Sequence, residues 1–133
     1  MNQIAIEMEN VDYTYPDGHE ALQGINLKVA VGDRVAVLGA NGAGKSTLLM
    51  LMDGLYTPSE GKVAVLGLPT NRENLSKIRR EVGFVFQDPD DQLFSPTLWE
   101  DVCFGPLNMG LPGEEARARS LNALKAVGLE AYK

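Results

Sequence analysis

Apolar and polar residues alternate in Ile4-Ala5-Ile6-Glu7-Met8 and again in Ile25-Asn26-Leu27-Lys28-Val29, the period-two pattern of strands with one buried face. The turn-rich stretch Tyr15-Pro16-Asp17-Gly18 stands between them, so the pair predicts an antiparallel layer. Val35-Ala36-Val37-Leu38 follows a different rule. It is a continuous apolar run launched by Gly32-Asp33, as expected of a strand covered on both faces in a parallel sheet, and it runs straight into Gly39. Lys45 to Met52 contains no helix breaker and is rich in Leu and Met, which predicts a helix ending near Asp53-Gly54. Lys62 to Leu66 and Val82 to Phe86 are the next strand candidates, and the polar segment Asn71 to Arg80 between them suits a short surface helix. Beyond Thr97 the character changes. Glu114 to Val127 predicts an amphipathic helix with Leu121, Leu124 and Val127 along one side and Gly128 at its stop.

At 133 residues, 44% hydrophobic and 23% charged, the composition is that of an ordinary globular domain, and one domain is the expectation. A net charge of -6 lacks the basic footprint that neutralises a phosphate backbone, which argues against nucleic-acid binding. Cys103 is the single cysteine and His19 the single histidine. They leave no internal disulfide and no zinc cluster, and both are expected to be packed or solvated without chemistry. The N-terminus has no basic n-region, and nowhere do eighteen apolar residues run together, so the expectation is an intracellular chain that is neither exported nor membrane-spanning.

The chemistry concentrates in Gly39-Ala40-Asn41-Gly42-Ala43-Gly44-Lys45-Ser46, a full match to G-x-x-x-x-G-K-[ST] set between a predicted strand and a predicted helix. Glycines let the backbone turn through conformations closed to other residues and bring its N–H groups up to phosphate oxygens. The helix starting at Lys45 adds a fixed partial positive charge worth about 0.3–1 kcal/mol per favourable interaction with an anion. Lys45 brings a full positive charge for the β- and γ-phosphates, the Ser46 hydroxyl is placed to bind the Mg²⁺ that bridges them, and Thr47 is the next phosphate contact.

GANGAGKSTLL, preceded by VAVLG, resembles the phosphate-loop block of ATP-binding-cassette (ABC) ATPases. Val11-Asp12-Tyr13-Thr14-Tyr15 resembles that family's aromatic loop, and the resemblance implies that the Tyr15 ring stacks on adenine. Val85-Phe86-Gln87-Asp88-Pro89 resembles the glutamine loop, which implies that Gln87 reaches the Mg²⁺ and the attacking water; an amide can orient a water without acting as a charged base. The site implied for ATP is therefore Tyr15, Gly39, Asn41, Gly42, Ala43, Gly44, Lys45, Ser46 and Thr47, with Ser46 and Gln87 toward Mg²⁺ and Lys45 and Gln87 in the catalytic roles. The stretch from Asp88 to Thr97 and then Asp101-Val102-Cys103-Phe104-Gly105-Pro106 looks like the ATP-binding subunits of cobalt and nickel importers and of energy-coupling-factor vitamin importers. That likeness implies a transmembrane partner seated around Leu93, Phe94 and Trp99, a second ATP-binding subunit, and a cytoplasmic place on the inner face of the membrane. Packing of those three residues under the Glu114 to Val127 helix is the equal alternative.

The implied fold is an α/β P-loop core, truncated, with an N-terminal antiparallel layer: residues 1–96 form the nucleotide-binding core and 97–133 begin a helical subdomain. The resemblance covers about the first half of a complete ABC ATPase domain. The Leu-Ser-Gly-Gly-Gln signature, the catalytic Glu and the switch His of the family do not occur in these residues, so the expectation is ATP binding without hydrolysis. Two other readings compete: a small P-loop kinase or GTPase with Asp88 on Mg²⁺, opposed by the Tyr15 segment and Gln87, and a non-catalytic interaction module that keeps the loop.

Overall fold

The computed structural model describes residues 2–133. The chain divides into two compact units, Met1–Phe84 and Val85–Lys133.

The first unit is built on an antiparallel sheet. Strands β1 (Ile4–Thr14), β2 (Glu20–Ala30), β3 (Glu60–Val65) and β4 (Leu68–Pro69) lie in the order β2-β1-β3-β4, and every pairing is antiparallel. The expected N-terminal layer is therefore present and longer than the alternating stretches alone suggest. Its central strand, β1, buries both Met8 and Val11, three positions apart, which strict alternation would put on opposite faces. A bulge reconciles them. The register against β2 shifts between Met8 and Val11, and Asn10 takes a φ of 47°, a left-handed conformation that Asn tolerates better than most residues. The Asn26 side chain holds the bulge, its Oδ1 accepting from Asn10 N at 3.0 Å and its amide donating to Asn10 Oδ1 at 3.2 Å.

Helix α1 (Lys45–Met52) matches the predicted span and is followed by Gly54 at a φ of 75°. It joins the sheet through Leu51, which with Met8, Val11, Leu22 and Val63 forms the buried core; Leu48, Met52 and Tyr56 pack around it. Burial of each such side chain contributes roughly 1.5–3 kcal/mol, so the phosphate loop is anchored from its helical side. Asp53, at the C-terminal end of α1, is also buried. Helix α2 (Leu75–Glu81) falls in the expected polar segment and buries Ile78.

Two expectations fail here. Neither Val35–Leu38 nor Val82–Phe86 is a strand. Val35 is 57% and Leu38 90% exposed, and Val85 is 87% exposed, so the run before the phosphate loop is not covered on both faces. An apolar extended run becomes a strand only by hydrogen bonding to a neighbour, and the sheet described above does not include either segment.

The second unit holds a 3₁₀ turn (Pro89–Asp91), α3 (Leu98–Asn108), α4 (Gly113–Ala126) and a last 3₁₀ turn (Glu130–Tyr132). Helix α3 starts at Thr97, whose side-chain oxygen accepts from Glu100 N at 3.2 Å, and it runs through Pro106 close to its end. Helix α4 lies where predicted, but its inner face is Ala116, Ser120 and Leu124. Val127 is 68% exposed because the helix has already ended at Ala126, and Gly128 follows at a φ of 75°. Among the described residues no helix is long and apolar enough to cross a membrane.

Candidate functional site

The glycine loop keeps its shape through backbone conformations that ordinary residues resist. Gly42 and Gly44 have φ of 83° and 97°, in the region where a Cβ clashes with its own backbone. At Gly44 there is no space either, since a Cβ would stand 2.8 Å from the Ala21 carbonyl oxygen. The loop is thus pressed onto the start of β2. Within it, Ala43 N donates to Ala40 O at 3.1 Å.

Lys45 opens α1 and curls back over the loop. Its Nζ donates to the carbonyl oxygens of Gly39 and of Ala40, the latter at 3.0 Å. Those carbonyls are partial negative charges, so the ammonium already sits where anionic oxygens would be attracted. Leu48 N donates to Gly44 O at 2.9 Å, so Lys45, Ser46 and Thr47 occupy the helix start whose N–H groups have no acceptor one turn earlier. The residues present therefore suit a triphosphate. Ser46 is exposed beside Lys45 and has an oxygen to offer Mg²⁺; Asn41 and Ala43 are exposed in the loop.

Tyr15 is the first residue beyond β1. Its N donates to His19 O at 2.8 Å and its carbonyl accepts from Gly18 N at 2.9 Å, which closes the turn between β1 and β2. The ring meets Tyr13 edge-on at 5.0 Å and Tyr56 edge-on at 6.0 Å, and lies within 22° of the His19 plane at 6.1 Å. Tyr13 and Tyr56 are themselves stacked at 5.1 Å. Burial first, then the neighbouring Tyr56 and Tyr15 phenols, pushes the Tyr13 hydroxyl above its usual range. The Tyr15 hydroxyl reaches across to α1, where its oxygen lies 2.7 Å from Thr47 Oγ1. Thr47 is 4% exposed.

The structure thus brings Tyr15, the loop Gly39–Gly44, Lys45, Ser46 and Thr47 together in the first unit. Sequence reasoning missed Tyr56 and His19 as ring neighbours of Tyr15. His19 adjoins the turn motif in sequence, whereas Tyr56 has no local signal.

The remaining candidates belong to the second unit. Gln87 sits at an exposed bend. Asp88, the alternative Mg²⁺ ligand, caps the following turn by accepting from Asp90 N at 3.0 Å. Leu93 and Phe94 are 56% and 64% exposed, and Phe94 meets Phe104 edge-on at 4.6 Å. Trp99 is half-buried, with the Arg117 guanidinium 6.0 Å and the Lys133 ammonium 5.8 Å from its ring centre. An open apolar groove of about 610 Å³ runs past Trp99, Cys103, Phe104 and Leu107. Asp101, which the sequence named only within a longer stretch and gave no role of its own, accepts from Phe94 N at 3.3 Å and Ser95 N at 3.1 Å and so shapes this loop.

Residues 22–133 match the ABC transporter family, and the chain belongs to that family. It is 52% identical over 130 residues to the energy-coupling factor transporter ATP-binding protein EcfA of Methanothermobacter thermautotrophicus, covering 96% of this chain and 42% of that protein. Against the protein of the same name from Methanocaldococcus jannaschii it is 49% identical, covering 96% and 47%. Among solved structures, CbiO1 from Clostridium perfringens, part of the ABC transporter complex CbiONQ, superposes with a TM-score of 0.81 at 44% identity, covering 98% of this chain and 53% of CbiO1. The dimeric ATP-binding cassette MJ0796 bound to ADP and phosphate gives 0.78 at 35% identity, covering 90% and 56%. The chain therefore spans about half the length of these relatives.

Proposed function

We propose that this chain is the nucleotide-binding part of the ATP-binding subunit of an ABC importer, one that couples ATP hydrolysis to uptake of a transition metal such as cobalt or nickel, or of a vitamin. The observation that carries the reading is the glycine-lined loop with the Lys45 ammonium folded over it. Family membership and the EcfA and CbiO1 relatives support it. Bound ATP would exchange the two carbonyl contacts of Lys45 for phosphate oxygens, which attract an ammonium more strongly. Backbone N–H groups of the loop and helix start would hold the remaining oxygens. Mg²⁺, when bound, would supply positive charge to offset that of the phosphates; Ser46 would hold it, and the family resemblance gives Gln87 the same role. Tyr15 supports the adenine.

Catalysis by the whole protein would use Lys45 for charge and Gln87 to place the water. The 133 residues bind ATP without turning it over, because the in-chain acid and the signature from a second subunit are not among them. The membrane partner docks around Leu93, Phe94 and Trp99, a second ATP-binding subunit completes the pair, and the protein works at the inner face of the membrane.

Titration of Mg·ATP into the wild-type chain and Lys45→Ala tests the reading. Affinity should drop by at least about tenfold, the weight of one charge-assisted contact. Equal binding by the two sinks it. Lys45-dependent ATP turnover by these 133 residues would overturn the non-hydrolysing part of the proposal.

A further inference from the structure

The hydrogen bond between Tyr15 and Thr47 joins two parts of the site that are 32 residues apart. An adenine platform requires only the face of the Tyr15 ring, so stacking leaves its hydroxyl unexplained. That hydroxyl is aimed at the first turn of the phosphate-loop helix by a closed backbone turn and by the edges of Tyr13 and Tyr56. Thr47 is 4% exposed, so water competes poorly for the bond.

We infer that the Tyr15 and Thr47 hydroxyls form a relay ending on a phosphate oxygen of the nucleotide, which makes Tyr15 a positioning residue for phosphate as well as a support for the base. The inference rests on the reading of the loop as a triphosphate site. A threonine hydroxyl has one proton and two lone pairs. At 2.7 Å either oxygen can be the donor. A phosphate oxygen is acceptor-only, so an arriving phosphate selects one arrangement: Tyr15 O–H donates to Thr47, and Thr47 O–H donates to phosphate. Hydrogen bonds in such a chain polarise one another, and the second is strengthened by the first. No proton changes owner.

The experiment compares Mg·ATP with inorganic tripolyphosphate, which has no base, by calorimetric titration of wild type, Tyr15→Phe, Thr47→Val, Thr47→Ser and the Tyr15→Phe/Thr47→Val double variant. Tyr15→Phe keeps the ring and should weaken both ligands by about three- to tenfold, the worth of one hydrogen bond. Thr47→Val should weaken both, the double variant should bind no worse than Thr47→Val, and Thr47→Ser should restore wild-type affinity. Unchanged tripolyphosphate binding by Tyr15→Phe overturns the relay, whether or not the ligand-free protein melts earlier. Additive losses in the double variant also overturn it. If wild type binds neither ligand, the proposed function falls together with the relay. If wild type binds and Lys45→Ala weakens it while Tyr15→Phe does nothing, the relay alone falls.

Discussion

The backbone of Gly44 rests against the carbonyl oxygen of Ala21, so closely that a Cβ would stand 2.8 Å from it. Leu22 Cδ2 would be 2.9 Å away on the same side. The phosphate loop is therefore shaped partly by the strand beneath it. Gly44→Ala combines this clash with a φ of 97° and is expected to destabilise the protein by about 1–3 kcal/mol. Nucleotide affinity should fall with it, because the loop can relieve the clash only by lifting off β2. Urea unfolding and Mg·ATP titration of the same variant check both effects.

Leu51 is fully buried and ties α1 to Met8, Val11 and Val63. Leu51→Ala should cost about 2–5 kcal/mol. The variant should also bind Mg·ATP more weakly, although Leu51 lies outside the loop motif in sequence, because the helix start that faces the phosphates is held by this packing. Denaturant midpoints together with calorimetry would show the two losses in one protein.

Burial raises the Asp53 carboxyl above its ordinary 3.8, against a smaller opposing pull from the Arg79 guanidinium. The native state then binds the proton more tightly than the unfolded chain does. Stability falls as pH rises from 3.8 through the raised native value, and the penalty is fully present above it. The C-terminal end of α1 adds to the cost of a negative charge there. Asp53→Asn should therefore melt at a higher temperature than wild type at pH 7, and the gap should close as the pH is taken below 3.8. Thermal melts across that range measure it.

Leu38 and Val85 are 90% and 87% exposed in apolar runs that lie outside the strands of the sheet. Such segments invite pairing with other chains. The 133-residue chain is expected to self-associate with rising concentration, and Leu38→Glu with Val85→Lys should lower that tendency. Sedimentation velocity over a concentration series gives the answer, and a monomer throughout would contradict it.

In the second unit, Asp101 accepts from the backbone N–H groups of Phe94 and Ser95. Asp101→Ala leaves those two groups without their carboxylate and should cost about 1–3 kcal/mol, as hydrogen bonds to a charged acceptor do. Hydrogen exchange at the Phe94 and Ser95 amides should quicken ahead of the rest of the unit.

The phosphate loop was legible because its chemistry is local: glycines that permit left-handed backbone, a lysine and a serine at fixed offsets, and a helix whose start and stop lie in the same dozen residues. Helices α1 and α4 were legible for the same reason, and the antiparallel layer because each strand carries its own alternation. Helix α3 could have been found from the Thr97-to-Glu100 cap, had Gly105-Pro106 not masked it.

Whatever depends on a distant partner was left to the tertiary structure. Val35–Leu38 and Val82–Phe86 have the composition of strands, but a strand exists only through the hydrogen bonds of its neighbour. The bulge at Asn10 lets both Met8 and Val11 turn inward, and it is held by Asn26, sixteen residues on. Tyr56 reaches Tyr13 and Tyr15, and Tyr15 reaches Thr47, through the fold alone. Sequence by itself determined the chemistry of the loop and the local course of its backbone; packing of α1 on the sheet decided which side chains stand around it, because proximity between remote residues is a property of the folded chain and of no short stretch within it.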